Sequence, residues 1–236
     1  MAATDLSRYY KRTREKGVNK AIFWTVRAIL GAAIQVYFSL ERNGRKNIPK
    51  KGPVILAANH RSFLDPFVIG CLVRRPVYFV AKKELFEKRW QGWILNRLGA
   101  FPIKRGEADE DSMATARGVL ERGGVLVIFP EGTRHRNGPL GRPKRGVGRL
   151  ALETGAPVVP IAVMGTDRAR RGWQIRSVWV RVRCGKPLRF PRVENPSPRL
   201  AEEVTARLWP CVELQWNWLG GDQVAPVEAE PERKAA

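Results

Sequence analysis

Between residues 54 and 183 the chain alternates short, strongly apolar runs with longer stretches of helical periodicity, and that alternation limits the fold more than any other feature. Runs such as Val54-Ile55-Leu56-Ala57-Ala58 and Val125-Leu126-Val127-Ile128 are short and have no polar residue in alternate positions, so they read as strands buried on both faces. Strands are expected at 54–58, 77–80, 101–104, 125–129, 158–163 and 177–183. Helices are expected between them at 66–73, 85–98, 112–122 and 146–154. This order is that of an α/β sheet with crossover helices. A break containing Pro191, Pro196 and Pro198 then leads into a helical segment at 200–219, which carries Trp209, Trp216 and Trp218 and should be kinked or split at Pro210. From Gly220 onward the Pro-, Glu- and Ala-rich tail, 220–236, is expected to be disordered.

The segment before the alternating region differs in kind. Residues 21–40 read AIFWTVRAILGAAIQVYFSL, long enough as a helix to reach across a bilayer core. Arg27, Gly31, Gln35 and Ser39 recur every four residues and draw a narrow polar stripe along it. An arginine at mid-membrane costs up to about 3 kcal/mol. Upstream, Arg8, Lys11, Arg12, Arg14, Lys16 and Lys20 make a basic arm with Tyr9 and Tyr10, suited to an anionic surface. Residues 1–40 are therefore expected to form an interfacial membrane anchor, with 41–219 as the chemical domain. A helix packed on the domain's own core and a true span are the alternatives. A cleaved signal peptide is not expected, since Glu41-Arg42-Asn43-Gly44-Arg45 follows and offers no small-residue site.

A formal net charge of +21 directs the surface toward polyanions without choosing among them. Cys71, Cys184 and Cys211 are odd in number, far apart and without the spacing of metal ligands, so a structural role in a reducing compartment is expected, with no disulfide framework and no zinc site.

With only two histidines, the choice of a base that works near neutral pH is narrow. His60 follows the apolar run 54–58 and so stands at the carboxyl end of a strand, where open α/β sheets hold ligands. Five residues on, Asp65 precedes Pro66, a helix-start pattern in which Asp65 caps and Pro66 takes the first helical position. The same turn brings the carboxylate back toward His60, where it can fix the imidazole tautomer. The two roles are compatible. Ser62 is nearby but lacks the Gly-x-Ser-x-Gly elbow, so the nucleophile expected is a substrate hydroxyl activated by His60. His135 lies in the polar run 134–138 with no carboxylate close behind it, and reads as a loop or phosphate-adjacent residue.

A second constellation, Phe129-Pro130-Glu131-Gly132-Thr133-Arg134, follows the run 125–128 and offers a carboxylate, a hydroxyl and a guanidinium on one rigid turn. Arg134 can grip phosphate through its planar fork, and Glu131 can accept a bond from a substrate hydroxyl. Arg105, at the end of another expected strand, would complete a phosphate clamp with Arg134. The stretch Gly146-Val147-Gly148-Arg149-Leu150-Ala151 loosely matches a dinucleotide loop but follows Arg142-Pro143-Lys144-Arg145 where a strand is required.

Taken together, these residues resemble the glycerophospholipid acyltransferases, and within them the 1-acyl-sn-glycerol-3-phosphate acyltransferases. Asn59-His60 with Asp65 is similar to the family's catalytic His-x4-Asp block, and Gly99 to Arg105 to its second block, with Arg105 at a phosphate-binding position. Residues 129–134 are similar to the third, implying that Glu131, Gly132, Thr133 and Arg134 bind the acceptor. Val158-Val159-Pro160-Ile161 is similar to the fourth, implying that Val159, Pro160 and Ile161 lie on the acyl side. The resemblance implies a mixed β-sheet flanked by helices in the glycerol-3-phosphate acyltransferase-like fold. It also implies catalysis without a metal or bound cofactor, and an acyl-CoA or acyl carrier protein thioester as donor.

The expected reaction is acylation of lysophosphatidic acid to phosphatidic acid, with His60 as base and backbone amides near the first block as oxyanion donors. The expected location is the cytoplasmic face of the cell membrane, as a peripheral or monotopic protein on an anionic surface. Arg61 and the basic stretch 134–145 suggest a strongly anionic acceptor or membrane. Another lysophospholipid or a glycolipid is the alternative acceptor. A non-catalytic basic membrane- or nucleic-acid-binding module is the remote one, disfavoured because the basic residues flank an apolar helix and end strands instead of interleaving with stacking aromatics.

Overall fold

The apolar runs assemble into a seven-stranded sheet of order β1-β9-β6-β2-β5-β3-β4 in the computed structural model, which describes residues 5–104, 109–171 and 174–221. The central strand β2 (Val54–Ala58) pairs in parallel with β5 (Val125–Ile128) on one side and β6 (Val158–Met164) on the other. Beyond β5 lie β3 (Val77–Lys82) and β4 (Ala100–Ile103), both parallel. On the other side β9 (Trp179–Cys184) runs antiparallel to β6, and β1 (Ser39–Asn43) closes the edge parallel to β9, so the sheet is mixed. A small ribbon of β7 (Arg170–Arg171) and β8 (Gln174–Ile175) stands apart from it.

Side-chain parity divides the core. Val54, Leu56 and Ala58 point to the layer that contains α2 (Lys20–Tyr37) and α3 (Asp65–Leu72), while Ile55 and Ala57 face α5 (Glu110–Glu121), α6 (Gly146–Thr154) and α7 (Pro198–Trp218). Helices therefore cover both faces, which is why the strands carry no polar alternation. Gly148, part of the dinucleotide-like stretch, is a packing residue: a Cβ there would stand 2.1 Å from the Ala201 carbonyl oxygen of α7. Gly99, at φ +99°, lets the chain turn into β4 hard against the Val77 carbonyl.

Three segments differ from the sequence expectation. The edge strand β1 was not foreseen, because Ser39-Leu40-Glu41-Arg42-Asn43 is half polar and pairs on one side only. The expected helix 85–98 divides into a 3₁₀ turn (Lys83–Phe86) and α4 (Arg89–Arg97), as Phe86 is fully buried and Lys88 is extended. In contrast, α7 is not split at Pro210. The ring removes one backbone donor, yet Trp209, Val212 and Trp216 on either side are buried and hold the helix against the domain.

The N-terminal segment folds onto the domain. In α1 (Ser7–Glu15), Tyr9 packs on Phe86, and Thr13 and the Tyr9 carbonyl both accept from the buried Asn96 amide of α4. In α2, the Arg27 guanidinium donates to the carbonyls of Gly70 and Cys71, capping the C-terminal end of α3. Burial pushes the Arg27 pKa down from its ordinary value. The polar stripe of α2 thus turns inward or to β1, where Gln35 accepts from Arg42, while Ile29 and Val36 face outward. Among the described residues, no helix is long and apolar enough to cross a membrane. All three cysteines are unpaired; Cys71 and Cys184 are buried, and burial pushes the Cys184 thiol up to about 12.

Candidate active site

Residue 60 is positioned by the strand before it and the residue next to it. The Asn59 side chain, fully buried, accepts from the Val163 amide at 2.7 Å and donates to the Val163 carbonyl at 3.0 Å, so it extends the β2–β6 ladder past the end of β2 and fixes where the turn begins. His60 then leaves the sheet at the carboxyl ends of β2, β5 and β6, where the chain direction diverges toward β3 on one side and β6 on the other.

Asp65 lies at the start of α3 with no solvent exposure. Its Oδ2 receives the His60 Nδ1 at 2.8 Å and the backbone amides of Arg61 and Ser62, each at 2.7 Å. Its Oδ1 accepts from the Thr166 hydroxyl at 2.5 Å. A carboxylate surrounded by donors makes Nδ1 the protonated nitrogen of His60, and this leaves Nε2 as the basic position. The ring is held flat by Phe129, 4.1 Å away and stacked. Thr166, just past β6, was missed by sequence reasoning; its only signal there is a Gly-Thr turn after a buried run.

Glu131 is 3% exposed, with Oε1 accepting from the His60 amide at 2.8 Å and Oε2 from the Gly141 amide at 2.9 Å. Both oxygens are thus committed to the backbone, so the carboxylate expected to meet a substrate hydroxyl instead ties the 130–141 loop to the turn that carries His60. Burial pushes its pKa up, opposed by those two amide bonds. The loop is fastened twice more. His135 donates its amide to the His60 carbonyl at 2.9 Å, and its ring stands 3.7 Å from Glu131, a carboxylate neighbour that sequence spacing did not reveal. Arg61, 3% exposed, donates to the carbonyls of His135 and Gly138 and lies over the Trp216 ring at 4.5 Å. Arg61 is therefore a structural clamp and not the reader of an anionic acceptor.

Next to His60 opens a largely apolar cavity of about 400 Å³, bounded by α2, α3, β3 and α4. Phe63, Phe67, Leu30 and Leu95 contribute to its walls, and its cations are Arg27, Lys82 and Arg134. Arg134 thus lines the same cavity as His60. Lys82, at the end of β3 and paired with Glu84 at 3.2 Å, was not foreseen. Gly132, at φ +72°, turns the loop beside Lys144, and Thr133 bonds His135. Arg105 lies outside the described residues.

Two expectations change. Val159, Pro160 and Ile161 do not line the cavity; they are buried in β6, an interior strand whose side chains are consumed by the core. The amides of His60, Arg61 and Ser62, expected near an oxyanion, already serve Glu131 and Asp65.

Residues 39–164 match the family described as Acyltransferase, a span that holds the His60–Asp65 pair and the Glu131 loop together. The chain belongs to the acyltransferase family. Relatives of this acyltransferase include a 1-acyl-sn-glycerol-3-phosphate acyltransferase of Bacillus subtilis, 34% identical and covering 58% of this chain and 71% of its own. One of Pseudomonas aeruginosa is 30% identical over 78% of this chain and 69% of its own. A chloroplastic one of Brassica napus is 34% identical over 60% of this chain but only 42% of its own, so the chain spans less than half the length of that relative. The crystal structure of the 1-acyl-sn-glycerophosphate (LPA) acyltransferase PlsC from Thermotoga maritima superposes with a TM-score of 0.66, at 26% identity, covering 89% of this chain and 86% of that one.

Proposed function

We propose that this acyltransferase moves a fatty acyl group from an acyl thioester to the free hydroxyl of 1-acyl-sn-glycerol-3-phosphate, forming phosphatidic acid for phospholipid synthesis. The observation that carries the reading is a histidine whose Nε2 has no partner among the described residues, locked by a fully buried aspartate, beside an apolar cavity that Arg134 also lines. His60 Nε2 takes the proton of the acceptor hydroxyl as its oxygen attacks the thioester carbonyl; the carbon–sulfur bond then breaks, and the thiolate leaves and takes up the proton from His60. Asp65 stabilises the imidazolium formed between these steps. Arg134 and Lys82 hold the acceptor phosphate, with Arg105 as a further contributor, and the apolar walls from α2, α3 and α4 take the acyl chain. Gly132 and Thr133 shape the acceptor side. The donor is acyl-CoA or acyl carrier protein.

Residues 1–40 anchor the enzyme to the cytoplasmic leaflet of the membrane as a peripheral or monotopic protein. Support comes from α2, where from Ala21 to Tyr37 every exposed residue is uncharged, with Val36 at 88% and Ile29 at 64% exposure. The test is thiol release from acyl-CoA in the presence of lysophosphatidic acid. Wild-type protein should turn over and His60→Ala should not; near wild-type turnover in His60→Ala would overturn the mechanism.

A further inference from the structure

A second groove, of about 610 Å³, lies between α1 and α4 on the opposite side of α4 from the catalytic cavity. Four arginines converge on it: Arg8 and Arg12 from α1, Arg89 and Arg97 from α4. Among the described residues none of the four is in an ion pair. Arg12 donates to the Gly17 carbonyl and to Asn96, Arg8 lies on the Tyr9 ring, and Arg97 lies over Trp93 at 3.7 Å from its centroid. Arg12 is held below its ordinary pKa first by burial and then by Arg97, which places these like charges close enough to repel. An arrangement of this kind is relieved by an anion.

The rest of the groove says which anion. Trp90 and Trp93, 67% and 48% exposed, stand at its rim with Ile94. A soluble anion gains nothing from exposed tryptophans, whereas a lipid headgroup region accommodates their amphipathic rings while its phosphate meets the guanidinium forks. The helix is also shared. Gln91, Leu95 and Leu98 of α4 and its end line the catalytic cavity, and Trp90, Trp93 and Arg97 line the groove. The helix α4 thus stands between the groove and the catalytic cavity.

We propose that the α1–α4 groove is a binding site for the phosphate of an anionic phospholipid headgroup, separate from the acceptor site, which docks the enzyme on anionic membranes. The proposal rests on the membrane reading given above. It is tested by sedimenting the full chain with vesicles of phosphatidylcholine alone and of phosphatidylcholine mixed with phosphatidylglycerol. Wild type should prefer the mixed vesicles, and Arg89→Gln with Arg97→Gln should weaken that binding by about 30-fold, from roughly fivefold per arginine, without altering binding to phosphatidylcholine. Arg89→Gln alone, whose side chain makes no hydrogen bond among the described residues, keeps the test valid if the double variant unfolds, and should give about a fivefold loss. Trp90→Ala should weaken binding to both vesicle types. Equal binding of mixed vesicles by wild type and both arginine variants would overturn the site while leaving the anchor standing. Failure of wild type to bind either vesicle would overturn both. Release of wild type from mixed vesicles by millimolar inorganic phosphate, with Trp90→Ala unchanged, would assign the groove to a soluble anion and overturn the lipid source.

Discussion

The turn after β2 and the face made by α1, α2 and α4 use the same kinds of residue to opposite ends. Around His60 the charged groups are buried and answered: Asp65 by two amides, a hydroxyl and the imidazole, Glu131 by two amides, Arg61 by two carbonyls and an indole. On the other face four arginines line one groove without an ion pair among the described residues, and tryptophan, isoleucine and valine side chains stand in the open. A buried polar group without a partner costs roughly 1–3 kcal/mol, so the full pairing of the Asp65 and Glu131 carboxylates helps the turn after β2 hold one geometry, although the Arg61 Nε is buried without a partner. Unpaired cations and exposed apolar groups are tolerated outside because water solvates them, and they remain free for a surface to engage.

The contrast can be broken most sharply at its rigid end. His60→Ala should lower turnover by about 10²- to 10⁴-fold and should also lower the thermal midpoint, since the ring that donates to Asp65 and stacks on Phe129 is lost together with the proton acceptor. Asp65→Asn should be nearly as damaging to kcat and should also unfold more easily, by about 1–3 kcal/mol, because an amide cannot accept from all the donors that Oδ1 and Oδ2 now satisfy. Thermal melts run beside the assay separate the two effects. On the flexible-contact side, Val36→Asp with Ile29→Asp should release the protein from vesicles while leaving the thermal midpoint unchanged, as both side chains face outward. A fall in midpoint would mean that this face packs on protein.

Smaller effects sharpen the picture. Arg61→Lys keeps the charge but loses the fork that spans the His135 and Gly138 carbonyls, and should raise KM for the acceptor severalfold more than it lowers kcat. The smallest effect concerns Glu131. Its carboxyl has a pKa raised above the unfolded value by burial, so its contribution to stability is full below the unfolded pKa and is lost as pH rises through the folded one. Glu131→Gln removes that ionisation, so the stability advantage of wild type over the variant should shrink across that window in denaturation curves taken at successive pH values.

Much of the central sheet could be read from the sequence because interior parallel strands have no polar face, and runs such as 54–58 and 125–128 advertise this directly. The edge strand β1 escaped because a strand paired on one side needs little apolar content. The His60–Asp65 pair was legible since five residues at a strand-to-helix turn close on themselves. The work of Arg61, Asn59 and Thr166 was not, because each acts on a partner 74 to 104 residues away. The same distance hid the role of Glu131, whose nearest functional contact is the His60 amide, 71 residues back.

By itself the sequence determined the α/β class, the pairing of His60 with Asp65, and the presence of an apolar N-terminal helix bearing Arg27, because these depend on local periodicity and short turns. Only the tertiary structure decided which face of that helix is outward, that Arg27 caps α3, and that α1 and α4 bring four arginines and two tryptophans to one groove. Residues on separate elements acquire a common surface only when packing sets the elements side by side, and no local pattern encodes that arrangement.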